Sequence, residues 1–194
     1  RERGWLRGVD YVMMKEIVRM QDALEQALPT RAVAEKIQLL PAPVEPQRVE
    51  VEIGGHDLAM MIRDHSTDNP VLMFLAGGPG GSEMGAMRNH LADLEKRFTV
   101  VTWDQRGTGK SYTELDPIST ISPEGYVSDT IEVTNYLRER FDQERIYLLG
   151  QSWGSILGVL AVQRQPDLYR AFIGSGQMVS PLATDRIFYR DTPA

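Results

Sequence analysis

Residues 150–155 read GQSWGS, between the apolar run RIYLLG (145–150) and the apolar stretch SILGVLAVQRQ (155–165). Gly150, Ser152 and Gly154 form the pattern G-x-S-x-G. The small residues have a steric reason. Where a strand turns sharply into a helix, the serine sits at the apex in a strained conformation, and side chains two positions to either side would collide. The turn lifts the hydroxyl clear of the sheet and sets it at the positive N-terminus of the next helix. The bare pattern is weak, and a glycine-rich turn with an idle serine also fits it. The strand before and the helix after give it weight and make Ser152 a candidate nucleophile toward a carbonyl.

Working outward from this turn, the periodicity changes repeatedly. RVEVEI and HDLAMMIRD alternate on both sides of Gly54-Gly55, which predicts a β-hairpin. Then come PVLMFL (70–75), the helical MRNHLADLEKRF (87–98), FTVVTW (98–103), the long helical PEGYVSDTIEVTNYLRERF (123–141) and RIYLLG. The elbow helix and YRAFIGSG (169–176) follow, and SPLATDRIFYRDTPA (180–194) reads as a last helix. Strands alternating with helices predict an α/β fold with a mostly parallel sheet. The runs VLMFL, FTVVTW and IYLL lack alternation, as expected of strands buried on both faces.

Upstream, Val9, Val12, Met13, Ile17, Met20, Leu24 and Leu28 fall at helical spacing, and RAVAEKIQLL (31–40) reads as a second, shorter helix. The opposite face carries Lys15, Glu16, Arg19, Asp22 and Glu25, so it is not the basic face of a membrane-surface helix. It suits packing on a globular surface or on a partner. PAPVEPQ (41–47) reads as a stiff, extended linker. The expected domains are therefore a helical N-terminal extension with its linker over 1–47 and an α/β core over 48–194.

Bulk numbers exclude more than they assign. The 194 residues are 42% hydrophobic and 25% charged, with a net charge of −6, which argues against a phosphate-tracking nucleic-acid binder. Without cysteine there is neither a disulfide framework nor a thiolate metal site, and no clue to the compartment. No apolar run reaches the roughly 18 residues of a membrane span. The chain begins at Arg1, which leaves open a removed signal or anchor. The localisation stays unknown, a soluble protein with a cytoplasmic place slightly favoured. No cofactor signal appears.

Two further loops carry chemistry. LAGGPGG (75–81) directly follows a buried strand, and such a loop can turn backbone N–H groups toward a developing oxyanion. The Gly78 amide is the expected donor, with the Trp153 amide as the second. WDQRGTGKS (103–111) contains G-x-G-K-S, but Gln105 stands where a phosphate loop requires its first glycine. Asp104 and Arg106 are expected to pair and shape this loop.

GGPGG, WDQRGTGKS and GQSWGS, in this order and spacing, resemble the proline iminopeptidase family of α/β-hydrolases over about residues 48–190. The resemblance implies a sheet with a helical cap after the sixth strand and a serine nucleophile at Ser152. It also implies oxyanion donors at Gly78 and Trp153, and removal of an N-terminal residue from small peptides or amides. Ala76 stands where the family usually carries histidine. In this fold the triad runs serine, acid, histidine along the chain. After Ser152 the only carboxylates are Asp167, Asp185 and Asp191, and no histidine follows His90. Asp167 reads as a turn residue, and His56, His65 and His90 as surface or core residues. The expectation is a serine hydrolase, aminopeptidase-like, with the histidine, the acid and most of the cap on a separate polypeptide segment. An esterase of the same fold, or a catalytically silent fragment that acts in assembly, are the alternatives.

Overall fold

The computed structural model describes residues 47–115 and 121–192. The expected helical extension and linker lie outside them, apart from Gln47. That residue opens β1 (Gln47–Ile53), which pairs antiparallel with β2 (His56–Arg63) in the hairpin predicted by alternation. Gly54 and Gly55 turn it with φ of 59° and 79°, a region where a Cβ is strained.

The elements that follow are β3 (Val71–Leu75), α1 (Met84–His90), β4 (Thr99–Trp103), α2 (Pro123–Arg140), β5 (Ile146–Gln151), α3 (Trp153–Arg164), β6 (Tyr169–Ser175) and α4 (Pro181–Asp191). Their order in the sheet is β1-β2-β4-β3-β5-β6. β2 runs antiparallel to β4, and β4, β3, β5 and β6 run parallel. The chain steps from β3 to β4 on one side and returns to place β5 on the other. The carboxyl ends of β3 and β5 thus flank the point where the winding reverses, the place where open α/β sheets bind ligands.

All residues of β3 and β4 are buried, as their unbroken apolar runs require. α2 begins at Ser122, whose hydroxyl accepts from the Gly125 amide at 3.0 Å, with Pro123 in the first turn. Val127, Val133 and Leu137 of α2, and Leu157 and Ala161 of α3, join Val71, Met73, Leu75, Val101 and Leu148 in one core.

Two expectations need correction. The helix read over 87–98 is shorter: α1 ends at His90 and a single 3-10 turn follows at Leu94–Lys96. Buried Glu95 is drawn to the end of β2. Its carboxylate accepts from Arg63 Nε at 2.5 Å and its carbonyl from the His65 amide at 3.2 Å, which a continued helix would prevent. β5 alternates between buried and half-buried residues instead of being buried throughout. β6 has one neighbouring strand among the described residues, and only Tyr169 of it is fully buried.

Candidate active site

Ser152 joins β5 to α3 with φ 52° and ψ −115°, a conformation strained for any residue with a Cβ. The two flanking glycines make the turn possible. A Cβ on Gly150 would fall on the Gly154 carbonyl oxygen and stand 2.9 Å from the Ser155 amide. A Cβ on Gly154 would fall on the Leu75 carbonyl and 2.8 Å from the Ala76 carbonyl. The start of α3 is therefore seated directly against the end of β3. The loop after β6 fixes the turn from the other side. The Ser152 amide donates to the Ser175 carbonyl at 2.9 Å. Ser155 Oγ donates to the Ser152 carbonyl at 2.5 Å and accepts from the Met178 amide at 2.9 Å. Ser152 is half-buried, and among the described residues its Oγ meets only Met178 Sδ, at 3.9 Å.

The glycine loop lies against this serine. The point a Cβ on Gly77 would occupy is 3.6 Å from Ser152 Cβ. Gly78 has φ 140°, and a Cβ there would meet the amide nitrogen of Gly80 at 2.8 Å, so this position needs glycine on both counts. The Gly77 amide donates to Glu83 Oε2 at 3.2 Å. The Gly78 and Trp153 amides carry no hydrogen bond to a described residue. As the first residue of α3, Trp153 has no acceptor within its own helix. Its indole is anchored separately, donating to Gln105 Oε1 at 3.3 Å and meeting the Tyr126 ring edge-on at 6.2 Å. The fold thus brings Gly78, Ser152 and Trp153, the three site residues expected from the sequence, to one end of the sheet.

The WDQRGTGKS loop is built around its own carboxylate. Asp104 Oδ1 accepts from Ser82 Oγ at 2.6 Å and Oδ2 from the Lys110 amide at 2.7 Å. A Cβ on Gly109, at φ 46°, would land on that carboxylate. The glycine serves Asp104, and an internal anion fills the space a phosphate would need. Asp104 and Arg106 do not pair as expected. Arg106 instead donates Nε to Asp129 Oδ2 at 2.7 Å and NH2 to Oδ1, both side chains nearly inaccessible. Burial pushes the Asp129 carboxyl above its ordinary value even with Arg106 beside it.

No histidine among the described residues bonds to Ser152. His56 touches Arg106 NH1 through Nε2 at 3.0 Å and Glu114 through Nδ1 at 3.3 Å, anchoring the hairpin turn to this loop. His65 lies beyond the end of β2, and His90 is exposed in the last turn of α1. Asp167 is exposed in a 3-10 turn. Among the described residues, no group of acidic and histidine side chains could hold a metal ion, and no helix is long and apolar enough to cross a membrane. Sequence reading missed Glu83 and Gln151. The only signal for Glu83 was an acidic side chain closing an otherwise small loop, GGPGGSE.

Comparison with known proteins agrees with this fold. A family model described as the alpha/beta hydrolase fold matches residues 70–192. A probable aminopeptidase, YbaC of Bacillus subtilis, is 39% identical over 141 residues, which cover 73% of this chain and 44% of the relative. A proline iminopeptidase of Lactobacillus crispatus is 32% identical over 55% of this chain and 35% of its own. The chain thus spans less than half the length of these relatives. The proline iminopeptidase-related protein of Thermus thermophilus superposes with a TM-score of 0.57 at 29% identity, covering 67% of this chain and 44% of that one. An epoxide hydrolase of Vigna radiata shares the fold at 21% identity, with a TM-score of 0.58 over 76% of this chain and 46% of its own. With its elbow, glycine loop and strand order together, the chain belongs to the α/β-hydrolase fold family.

Proposed function

We propose that these residues supply the nucleophile and the oxyanion site of a serine hydrolase that removes N-terminal residues from small peptides or amides. Ser152 Oγ attacks the carbonyl carbon, and a base takes the hydroxyl proton. The negative charge that develops on the carbonyl oxygen is held by the Gly78 and Trp153 amides. The base returns the proton to the leaving amine as the carbon–nitrogen bond breaks. Water then hydrolyses the ester formed on Ser152. The base is a histidine, oriented by an acid, on a separate polypeptide segment outside residues 1–194, and it reaches Ser152 Oγ, whose one hydrogen-bond partner among the described residues is Met178 Sδ.

The observation that carries this reading is the strained backbone of Ser152, kept between two glycines that the fold leaves no room to enlarge. The two unoccupied amides beside it support the oxyanion role. Relatives named as an aminopeptidase and proline iminopeptidases support the peptide substrate over an ester.

Fluorophosphonate labelling of the full-length protein, followed by peptide mapping, tests it. The probe is expected on Ser152, and Ser152→Ala is expected to abolish labelling and lower turnover by about 10⁶. Faster hydrolysis of a free-amine p-nitroanilide than of its N-acetyl form would mark an aminopeptidase. A preference for p-nitrophenyl esters would mark an esterase. An unlabelled Ser152 in a full-length, folded sample would sink the enzyme and leave a silent assembly role.

A further inference from the structure

The Glu83 carboxylate stands between the two loops that build the site. Oε2 accepts from the Gly77 amide at 3.2 Å, and Oε1 lies 3.4 Å from the point a Gly77 Cβ would occupy, a point 3.6 Å from Ser152 Cβ. Across from it is the amide of Gln151, the residue directly before Ser152. With its nitrogen turned toward Glu83, Gln151 donates to Oε1 at 3.1 Å and to Oε2 at 3.3 Å. The opposite orientation would set three oxygens together, so the hydrogen-bond network assigns this one. A Cβ on Gly77 would press on the end of the Gln151 side chain at 2.7 Å, so a larger residue there would displace that amide.

We propose that Glu83 and Gln151 form a brace that sets the distance between the glycine loop and the nucleophile, with Glu83 as a positioning residue. The inference rests on the reading of Ser152 as nucleophile and Gly78 as oxyanion donor. The brace consumes the Gly77 amide and leaves the next one, at Gly78, without a hydrogen bond to a described residue. Its two ends are the last residue of β5 and the N-cap of α1, so it fixes two elements across the site. Glu83 has no cationic partner among the described residues, so its bonds are to amides, which respond to geometry more than to charge. A donor displaced by a fraction of an ångström loses much of its hold on an oxyanion while substrate binding is barely touched.

The test uses the full-length protein, with proline p-nitroanilide as substrate and hydrogen exchange at the Gly77 amide as a second readout. Glu83→Ala is expected to lower kcat roughly ten- to a hundredfold with KM within about twofold, and to speed exchange at Gly77. Glu83→Gln keeps an oxygen for both amides and should stay within about threefold of the wild type. Gln151→Glu opposes two carboxylates and should lose activity as Glu83→Ala does. Combining it with Glu83→Gln restores a carboxylate–amide pair and should recover most of the rate, which a generally damaged fold would not do. Unchanged kcat in Glu83→Ala overturns the brace. So does a loss shared by Glu83→Gln and confined to KM for free-amine substrates, which would make Glu83 a substrate contact. If wild-type Ser152 takes no label, the hydrolase reading fails. The brace is then judged by Gly77 exchange alone, and exchange unaltered in Glu83→Ala refutes it.

Discussion

Single atoms decide this site. Gly55 and Gly154 show two different reasons for glycine. Gly55 has φ 79° and open space around it, so its constraint is conformational. Gly154 meets the Leu75 carbonyl, which is backbone and cannot rotate away. Gly55→Ala should therefore cost only about 1–2 kcal/mol, the penalty of a left-handed residue. Gly154→Ala must push α3 off β3 and should cost more than about 3 kcal/mol, as overpacking against backbone does. Urea unfolding of the two variants measures the difference. Equal costs would mean that α3 has more freedom at its first turn than the packing allows. The G-x-S-x-G pattern was legible because its three members stand at fixed two-residue spacing between an apolar strand and a helix. Glu83 was not, because its partner Gln151 lies at the end of β5, far along the chain, and only folding brings them together.

At the scale of elements, the loop after β4 is held by charge. Asp129 of α2 has a side chain 1% exposed and Arg106 one of 7%, and they meet through two bonds. The carboxyl is pushed up despite its partner, so at Asp129 the cost of burial outweighs the attraction of Arg106. The pair locates the loop against α2 more than it stabilises the chain. Asp129→Ala should destabilise by about 3–5 kcal/mol, because it leaves Arg106 buried and unpaired. Replacing both, Arg106→Met with Asp129→Leu, should recover most of that loss in thermal unfolding. A double variant as unstable as the single one would show that the ions themselves are needed. The hairpin, the βα alternation and the long α2 were legible from period and caps. The partners of Asp104 and Arg106 were not. Two opposite charges two residues apart invited a local pair, yet each found its partner on a distant element, Ser82 and Asp129. Nor was the early end of α1 legible, since it depends on Arg63 of β2 drawing Glu95 inward.

At the scale of the whole molecule, many of the exposed large apolar side chains among the described residues belong to β6, the loop after it and α4. Ile173 of β6 is 49% exposed, Val179 89%, and Leu182, Ile187, Phe188 and Tyr189 of α4 all exceed half. An open strand edge beside such a patch is a surface for association. Residues 1–194 expressed alone should self-associate with rising concentration, and Ile173→Lys with Phe188→Glu should shift sedimentation toward the monomer. A wild-type segment that stays monomeric at high concentration would refute this. The placement of β5 between β3 and β6 has a consequence in time as well. The β1–β2 hairpin closes a two-residue turn, while β5 must find β3, pairing Tyr147 with Leu72, across α1, β4 and α2. Loop closure of that span delays the encounter. Pulse-labelled refolding should protect Val49 and Met60 early and Leu148 late. Until β5 is inserted, Ser152 is an ordinary relaxed serine with no amides waiting for it. With Ser152 as the nucleophile proposed above, a chain emerging from the ribosome would thus carry that hydroxyl harmlessly through the crowd of amides around it and arm it only once the middle of the sheet has closed.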